Sequence, residues 1–199
     1  MKCSLRGRSV CILLLCGLLG IAATAVAQEL RFEPDPAKST VEFTLGDVLH
    51  TVHGTFRLKQ GNIQIDSATG KTTGSIIVDA ATGDTGNGSR DHKMHKEVLE
   101  SAKYPEIRFT VQSMQGSLST TGNSEVKLAG VMSIHGSEHP LTVAVPVQIH
   151  DGQVTADVHF VVPYVQWGMK DPSTFVLRVG KEVEIVAHMV GALTTAGVH

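Results

Sequence analysis

The chain has 199 residues, and its 17 lysine and arginine residues against 19 aspartate and glutamate residues give a formal net charge of −2. Proteins that bind nucleic acid through its phosphates carry a basic surplus, so this balance predicts no nucleic-acid partner. A chain of this length can bury a hydrophobic core as a single domain.

The N-terminus has the three parts of a secretory signal peptide. Lys2, Arg6 and Arg8 form a basic region, an apolar run covers residues 10–23, and Ala25-Val26-Ala27 matches an A-x-A cleavage site. The apolar run is too short to span a bilayer comfortably. We therefore expect cleavage after Ala27.

Cleavage would remove residues 1–27 and leave a periplasmic or secreted domain over residues 28–199. All three cysteines of the chain, Cys3, Cys11 and Cys16, lie in the removed segment. The mature domain would then fold in an oxidising compartment by burial alone, without disulfides. An uncleaved or lipid-modified anchor is the alternative, although no small residue precedes Cys16 as a lipobox requires.

From Leu30 onward, apolar residues occupy every second position, with polar or small residues between them. This period of two predicts half-buried antiparallel strands. Asp151-Gly152 between two such runs is a strong hairpin signal, and residues 135–140 predict a looser turn. Further turns are expected at residues 67–71 and 116–123. The alternating runs include Val41 to Leu45, Ile63 to Ile65, Ile107 to Val111, Val126 to Ile134, Leu141 to Ile149, Val154 to Val162 and Val183 to Met189.

Two features interrupt this pattern. Pro146 stands at an outward position of its run and predicts a bulge or a locally unpaired strand, because proline cannot donate to a strand ladder. Residues 163–173 contain the only tryptophan, Trp167, between two prolines. They either form a crossing loop whose Trp167 closes one end of the core, or line a mouth through which an apolar ligand enters.

Residues 89–105 predict a single amphipathic helix. Ser89 can act as its N-cap, and Asp91 lies in the first turn, where the helix dipole favours an acid. Pro105 restricts the residue before it and ends the helix. One apolar stripe, which must pack on the strands, is formed by Met94, Val98, Leu99 and Ala102. Seven to nine strands with short turns and one helix predict a mainly β fold, a closed or nearly closed antiparallel barrel. A two-sheet sandwich gives the same alternation and remains the alternative.

No constellation of residues matches known catalytic chemistry. His92 and His95 are spaced i, i+3, and His135 and His139 flank a turn, but neither pair has a third ligand at a recognisable spacing. The chain has no G-x-S-x-G motif, and no cysteine nucleophile would survive cleavage. We therefore expect a binding protein that is not an enzyme and has no metal or cofactor. A metal-assisted hydrolase that uses His92 and His95 is the enzymatic alternative.

The predicted helix and the strands beside it resemble a known family. Arg90-Asp91-His92, followed by Met94, Leu99, Lys103-Tyr104-Pro105 and Phe109, resembles the signature of the YceI-like family of bacterial periplasmic proteins. Three further segments resemble its early hairpin, its G-x-L-x-I-x-G-x-x-x-P-x motif and the entry to its last strand: His53 to Phe56, Gly130 to Leu141 and Val179 to Val183. The resemblance covers nearly the whole expected mature chain.

This resemblance implies a single lipocalin-like antiparallel β-barrel of about eight strands with one amphipathic helix. It also implies an apolar channel for an isoprenoid or a fatty-acid-like lipid, including polyisoprenoids and isoprenoid quinones. Arg90 and Asp91 would lie at the mouth, where they organise the helix or meet a ligand head group. The other implied ligand-binding residues are Met94, Leu99, Phe109, Met132, Val158, Phe160 and Trp167. Ordinary core packing is the alternative for the channel residues, because a filled barrel shows the same alternation.

The chain departs from the family pattern at Tyr164-Val165-Gln166-Trp167-Gly168. Many family members have an arginine or lysine followed by an acidic-aromatic pair in this crossing, so the mouth chemistry of this chain is expected to differ. The protein would be a monomer or a homodimer that contacts the membrane transiently. The remaining alternative is a non-enzymatic stress-response or interaction protein whose barrel is filled.

Overall fold

Antiparallel strands dominate the computed structural model, which describes residues 29–46, 51–175 and 178–196. The predicted signal peptide lies outside the described residues. In order, the elements are β1 (Glu29–Pro34), β2 (Thr40–Gly46), β3 (Thr51–Asp66), β4 (Thr72–Asp84), helix α1 (Gly88–Lys93), a π-helical turn (Met94–Val98), β5 (Glu106–Gln115), β6 (Gly122–Ile134), β7 (Ser137–His150), β8 (Gln153–Val162) and β9 (Val183–Ala196). Within these described ranges, no helix has the length and apolar character needed to cross a membrane.

The sheet closes into a barrel because β3 pairs with both β2 and β4. Strands β1 and β2 lie end to end between β3 and β9: Leu30 pairs with Ile65 in β3, and Val41 pairs with Phe56 in the same strand. The nine strands of the described chain therefore occupy eight positions around the barrel. The structure confirms the predicted barrel, and the two-sheet sandwich is excluded.

Strand β4 is the element that the alternation did not predict. Its apolar run Ile76-Ile77-Val78 breaks the period of two, and its pairing with β3 contains register shifts. Gly74 has φ of 118°, and a Cβ at this position would lie 2.0 Å from the carbonyl oxygen of Asn62. Register shifts and a glycine interrupt the alternation of apolar and polar residues, although the strand still pairs with its neighbours. The alternation therefore did not predict β4.

Two tight turns join the strands from β6 to β8. Asp151 and Gly152 have φ of 49° and 76°, which are the values of a type I′ hairpin turn and confirm the prediction. His135 and Gly136 adopt the same conformation, with φ of 51° and 75°. The looser turn predicted over residues 135–140 is therefore wrong: the turn takes two residues, and β7 begins at Ser137.

The helix is shorter than predicted, and it begins earlier. Its N-cap is Asn87, whose side-chain oxygen accepts a hydrogen bond from the backbone N–H of Arg90 at 3.1 Å, so the prediction of Ser89 as N-cap is wrong. Regular α-helix ends at Lys93, and a π-helical turn continues to Val98.

His95 gives a physical reason for this wide turn. Its ring nitrogens lie 2.8 Å from the carbonyl oxygen of Gly83 and 3.1 Å from the hydroxyl of Ser101. These contacts hold the turn open between the end of β4 and the residues that follow it, and π-helical turns often mark such local constraints. The predicted apolar stripe consequently ends at Leu99, and Ala102 is exposed.

Strands β7 and β8 pair over only part of their length. The ladder between them runs from Val147 with Ala156 to His150 with Gln153, which is four residues of each strand. β8 pairs with β9 along its whole length, and β7 pairs with β6 from Ser137 to Ile149. Pro146 stands where the β7–β8 ladder ends, which confirms the locally unpaired strand predicted there.

A candidate ligand-binding cavity

The barrel encloses a cavity of about 690 Å³, so its interior is not filled by side chains. This volume falls within the range of small-molecule sites, which is ~300–1,000 Å³. Inward-facing apolar side chains from the whole wall line it, because alternate residues of each strand point to the interior. They include Phe32, Phe43, Phe56, Val78, Phe109, Met132, Val145, Phe160 and Ile185.

Polar groups line the cavity mainly at one end. Among the described residues, Thr85, Asn87, Ser89, Arg90 and Lys93 line it there, together with the buried Tyr164. No aspartate or glutamate of the described chain lines the cavity, so its two charged side chains are both cationic. Asn87, Ser89 and Arg90 are exposed as well as cavity-lining, so the cavity meets solvent beside α1. We call this opening the mouth.

Thr85 anchors the start of α1 to the end of β4. Its backbone N–H and its hydroxyl both donate to the carboxylate of Asp91, the former at 3.0 Å. Arg90 donates from Nε to the same hydroxyl at 2.8 Å and from Nη2 to the carbonyl of Thr85 at 3.0 Å. These bonds fix the helix and hold the guanidinium at the mouth.

The loop that connects β8 and β9 borders the mouth opposite α1. Lys93 donates from Nζ to the carbonyl of Pro172 at 3.0 Å, and Lys170 forms an ion pair with Glu97 at 2.7 Å. The hydrogen bond and charge of Lys170 hold the pKa of Glu97 below its usual value. Two polar contacts therefore connect the loop to the helical segment across the mouth.

Tyr164 fixes the base of the same loop. Its side chain is buried, and its hydroxyl donates to the carbonyl of Gly180 at 2.7 Å. Burial, with a smaller contribution from the charge of Asp171, raises the pKa of the Tyr164 phenol to about 12. A neutral hydroxyl at this position is the state in which the hydrogen bond forms.

Seven of the nine residues predicted to bind ligand line the cavity: Arg90, Met94, Leu99, Phe109, Met132, Val158 and Phe160. Asp91 and Trp167 do not line it. Asp91 instead anchors the helix through Thr85. Trp167 stacks on His139 of β7, with the ring centroids 4.3 Å apart and the planes 1° from parallel.

Sequence reasoning did not identify Lys93, Tyr164 or Met169 as cavity residues. Lys93 follows Arg90 by three residues, a spacing that places both cations on one helix face and was a usable signal. Tyr164 and Met169 lie in the loop after β8, where no periodicity indicates which side chains are buried.

The histidine pairs considered for a metal do not converge. His92 is exposed, while both ring nitrogens of His95 lie within hydrogen-bond distance of Gly83 and Ser101. His135 approaches Glu100 at 3.7 Å, and His139 contacts Trp167. Over the described part of the chain, no group of three or more histidine, cysteine, aspartate or glutamate residues is arranged to hold a metal ion.

Comparison with protein-family models matches the chain to the YceI-like domain over residues 32–191. Comparison with curated proteins finds no match.

Among solved structures, the chain resembles BcnA of Burkholderia cenocepacia with a TM-score of 0.66 and 20% identity, covering 79% of this chain and 98% of that one. It resembles a polyisoprenoid binding domain from Saccharophagus degradans, implicated in plant cell wall breakdown, with a TM-score of 0.65 and 15% identity, covering 82% and 98%. A YceI protein of Campylobacter jejuni gives a TM-score of 0.52 and 13% identity, covering 75% and 88%. At these identities the likeness concerns the fold.

Proposed function

Because the chain belongs to the YceI-like family, we propose that it is a periplasmic or secreted binding protein that holds the apolar tail of one amphiphile inside its barrel. The proposed mature domain covers residues 28–199. The observation that carries this proposal is the cavity of about 690 Å³, apolar along the wall and polar at the mouth. Burial of each methylene group contributes ~0.8 kcal/mol, so a long tail needs few polar contacts to bind.

The proposed ligand is a polyisoprenoid, an isoprenoid quinone or a fatty-acid-like lipid. The S. degradans relative is described as a polyisoprenoid binding domain, which supports the isoprenoid class. In this proposal the tail contacts Phe109, Met132, Val158 and Phe160, and the polar head lies beside Arg90 and Lys93. Met94 and Leu99 cover the tail from the helical segment.

A binding role rather than catalysis is supported by how the polar residues at the mouth are used. Asp91 accepts from Thr85, and His95 is held between Gly83 and Ser101. Residues that could act as an acid or a base are thus engaged in holding the helical segment in place.

Two measurements test the proposal. Protein purified gently from its own membrane background is analysed by native mass spectrometry and organic extraction, and one apolar amphiphile per chain is expected. The delipidated protein is then titrated with cis-parinaric acid, a fluorescent long-chain fatty acid. Absence of a co-purified amphiphile together with absence of saturable binding would overturn the proposal.

A matched pair of variants locates the binding site. Val145 lines the cavity, while its neighbour Ala144 is exposed on the outer face of β7. Val145→Phe is expected to weaken binding of cis-parinaric acid by tenfold or more because the added ring occupies the space of the tail. Ala144→Phe adds a larger volume, but outside the barrel, and its affinity is expected to equal that of the wild type. Equal effects of both variants would place the bound lipid outside the cavity.

A further inference from the structure

The barrel wall is incomplete between β7 and β8. Beyond the pair of Val147 with Ala156, no backbone pairing joins the two strands towards Ser137 of β7 and Val162 of β8, although all of these residues lie in the described part of the chain. We call this unpaired region, Ser137–Pro146 facing Asp157–Val162, the seam. Inward-facing Leu141, Val143, Val145, Val158 and Phe160 lie along it, and all of them line the cavity.

The residues that follow β8 form a compact loop at the end of the seam. This seam loop, Pro163–Met169, is held mainly by its own backbone: the N–H of Trp167 donates to Pro163 and the N–H of Met169 donates to Tyr164, both at 3.0 Å. Tyr164 and Met169 are buried, at 5% and 3% exposure, and Met169 lines the cavity. The loop therefore packs inward as a unit.

Towards β7 the seam loop is held by an aromatic contact. The indole of Trp167 stacks on the imidazole of His139 with planes 1° from parallel, and no hydrogen bond joins Pro163–Met169 to β7 in the described chain. Nε2 of His139 is buried and has no hydrogen-bond partner there. An orphaned buried nitrogen is unfavourable, so this contact is weakly held compared with the paired wall.

From these contacts, and on the premise of the proposed function, we infer that the seam is the entrance for the lipid tail and that the seam loop closes it. Stacking of Trp167 on His139 is the contact that opens and re-forms. The seam reaches the barrel end that carries the mouth, so a tail can enter sideways between β7 and β8 while its polar head stays in water beside α1. On the outer face of β8 beside the seam, Val161 is 45% exposed and adds an apolar side chain next to the exposed Asp157 and His159.

Passage through the mouth alone is less favourable for an apolar tail. Arg90 and Lys93 line the mouth, and the contacts of Lys93 with Pro172 and of Lys170 with Glu97 cross it. A tail entering there would displace water from two cations and break polar contacts, which is costly. Along the seam, the inward-facing side chains of both strands are apolar.

Rates of lipid exchange test this inference. His139→Ala and Trp167→Leu remove the two halves of the stack, and each is expected to raise both the association and the dissociation rate of cis-parinaric acid roughly three- to tenfold in stopped-flow fluorescence. The dissociation constant should change by less than about twofold, because the stack is lost from the free and the bound protein alike. His150→Ala, whose exposed side chain lies at the end of β7 that pairs with β8, away from the seam, is the matched control and should exchange at the wild-type rate.

A second readout does not depend on ligand. Trp167 is the single tryptophan of the chain, so its fluorescence reports on the seam loop alone. Acrylamide should quench Trp167 more strongly in His139→Ala than in the wild type or in His150→Ala. This measurement also carries the test where Trp167→Leu does not fold.

The outcomes separate the two proposals. A wild-type protein that binds no cis-parinaric acid overturns the proposed function and this inference with it. Normal affinity with unaltered exchange rates in both stack variants overturns the entrance alone, and so does unaltered quenching in His139→Ala. Faster exchange in Lys93→Met, with no change in the stack variants, would assign entry to the mouth.

Discussion

Asp91 binds Thr85 twice, accepting hydrogen bonds from its backbone N–H and from its hydroxyl. The two residues connect the end of β4 to the first turn of α1, and Arg90 uses the same hydroxyl as an acceptor. An acid beside a histidine at the edge of a cavity resembles a catalytic group. The contacts of Asp91 instead fix the position of α1, which borders the mouth.

Loss of this anchor should lower stability. Asp91→Asn removes the charge from the acceptor, and we expect the free energy of unfolding to fall by about 1–3 kcal/mol, since hydrogen bonds to charged groups are the stronger class. Urea denaturation measures the loss. Glu125→Gln neutralises an exposed acid on β6 and should leave the free energy of unfolding unchanged. An Asp91→Asn protein with wild-type stability but no lipid binding would contradict the anchoring role and place Asp91 against the ligand.

The barrel could be predicted from the sequence because its evidence is local. Alternation along Leu141 to Ile149 and the left-handed residues at Asp151-Gly152 are properties of neighbouring residues, and each constrains one strand or one turn. The close approach of Gly74 to Asn62 and the π-helical turn at Met94–Val98, whose His95 contacts Gly83, depend on residues that are distant in sequence. No local pattern carries such contacts.

The candidate site shows the same division. Inward positions such as Phe109 and Met132 follow from the period of two, and they line the cavity. Whether the space between them is empty depends on the barrel's diameter, which no single strand encodes. Pro146 indicated from the sequence that β7 is locally unpaired. The stacking of Trp167 on His139 could not be predicted, because it depends on the conformation of a loop that has no periodic sequence pattern.

Replacement of Gly130 tests how closely β5 and β6 approach each other in the barrel wall. A Cβ at this position would lie 2.2 Å from the carbonyl oxygen of Thr110 on β5, a contact that requires the backbone to move. We expect Gly130→Ala to lower the free energy of unfolding by roughly 1–3 kcal/mol, as overpacking does. Gly88→Ala is the matched control, because open space surrounds that position and alanine favours a helix; it should be neutral or stabilising by up to about 1 kcal/mol. A Gly130→Ala protein as stable as the wild type would show that β5 and β6 can separate at no cost.

The raised pKa of Tyr164 predicts that the protein loses stability at alkaline pH. Its pKa is about 12 in the folded protein against an ordinary value of 10.0. Between these two values the unfolded chain releases a proton that the folded chain retains, so rising pH favours unfolding. The contribution of this residue is complete below pH 10 and is lost progressively towards pH 12.

Comparison with Tyr164→Phe isolates this effect. Phenylalanine keeps the ring, loses the hydrogen bond to Gly180 and cannot ionise, so the variant should be less stable by about 1 kcal/mol at neutral pH. The difference in free energy of unfolding should stay constant below pH 10 and shrink above it, measured by urea denaturation at each pH. A difference that is independent of pH up to 12 would show that the phenol is not protected by burial.

Lys93 tests which polar head the mouth accepts. With Arg90 it supplies the charged groups that line the cavity in the described chain, and both are cationic. Lys93→Met should weaken the binding of palmitate roughly two- to fivefold, the range expected of a partly exposed ion pair, while hexadecanol, with the same tail and no charge, binds as before. Displacement of cis-parinaric acid measures both affinities, and 0.5 M salt should reduce the difference between them because it screens the charge.

The control for this prediction is Lys127→Met on the outer face of β6, which should change neither affinity. Lys93 also donates to the carbonyl of Pro172, so a loosened loop beside the mouth is the alternative effect of its replacement. The two roles differ in their signature, because a loosened loop weakens acid and alcohol alike, whereas a lost charge weakens the acid alone. An equal loss for palmitate and hexadecanol, insensitive to salt, would therefore contradict head-group recognition and leave Lys93 as a residue that positions the loop.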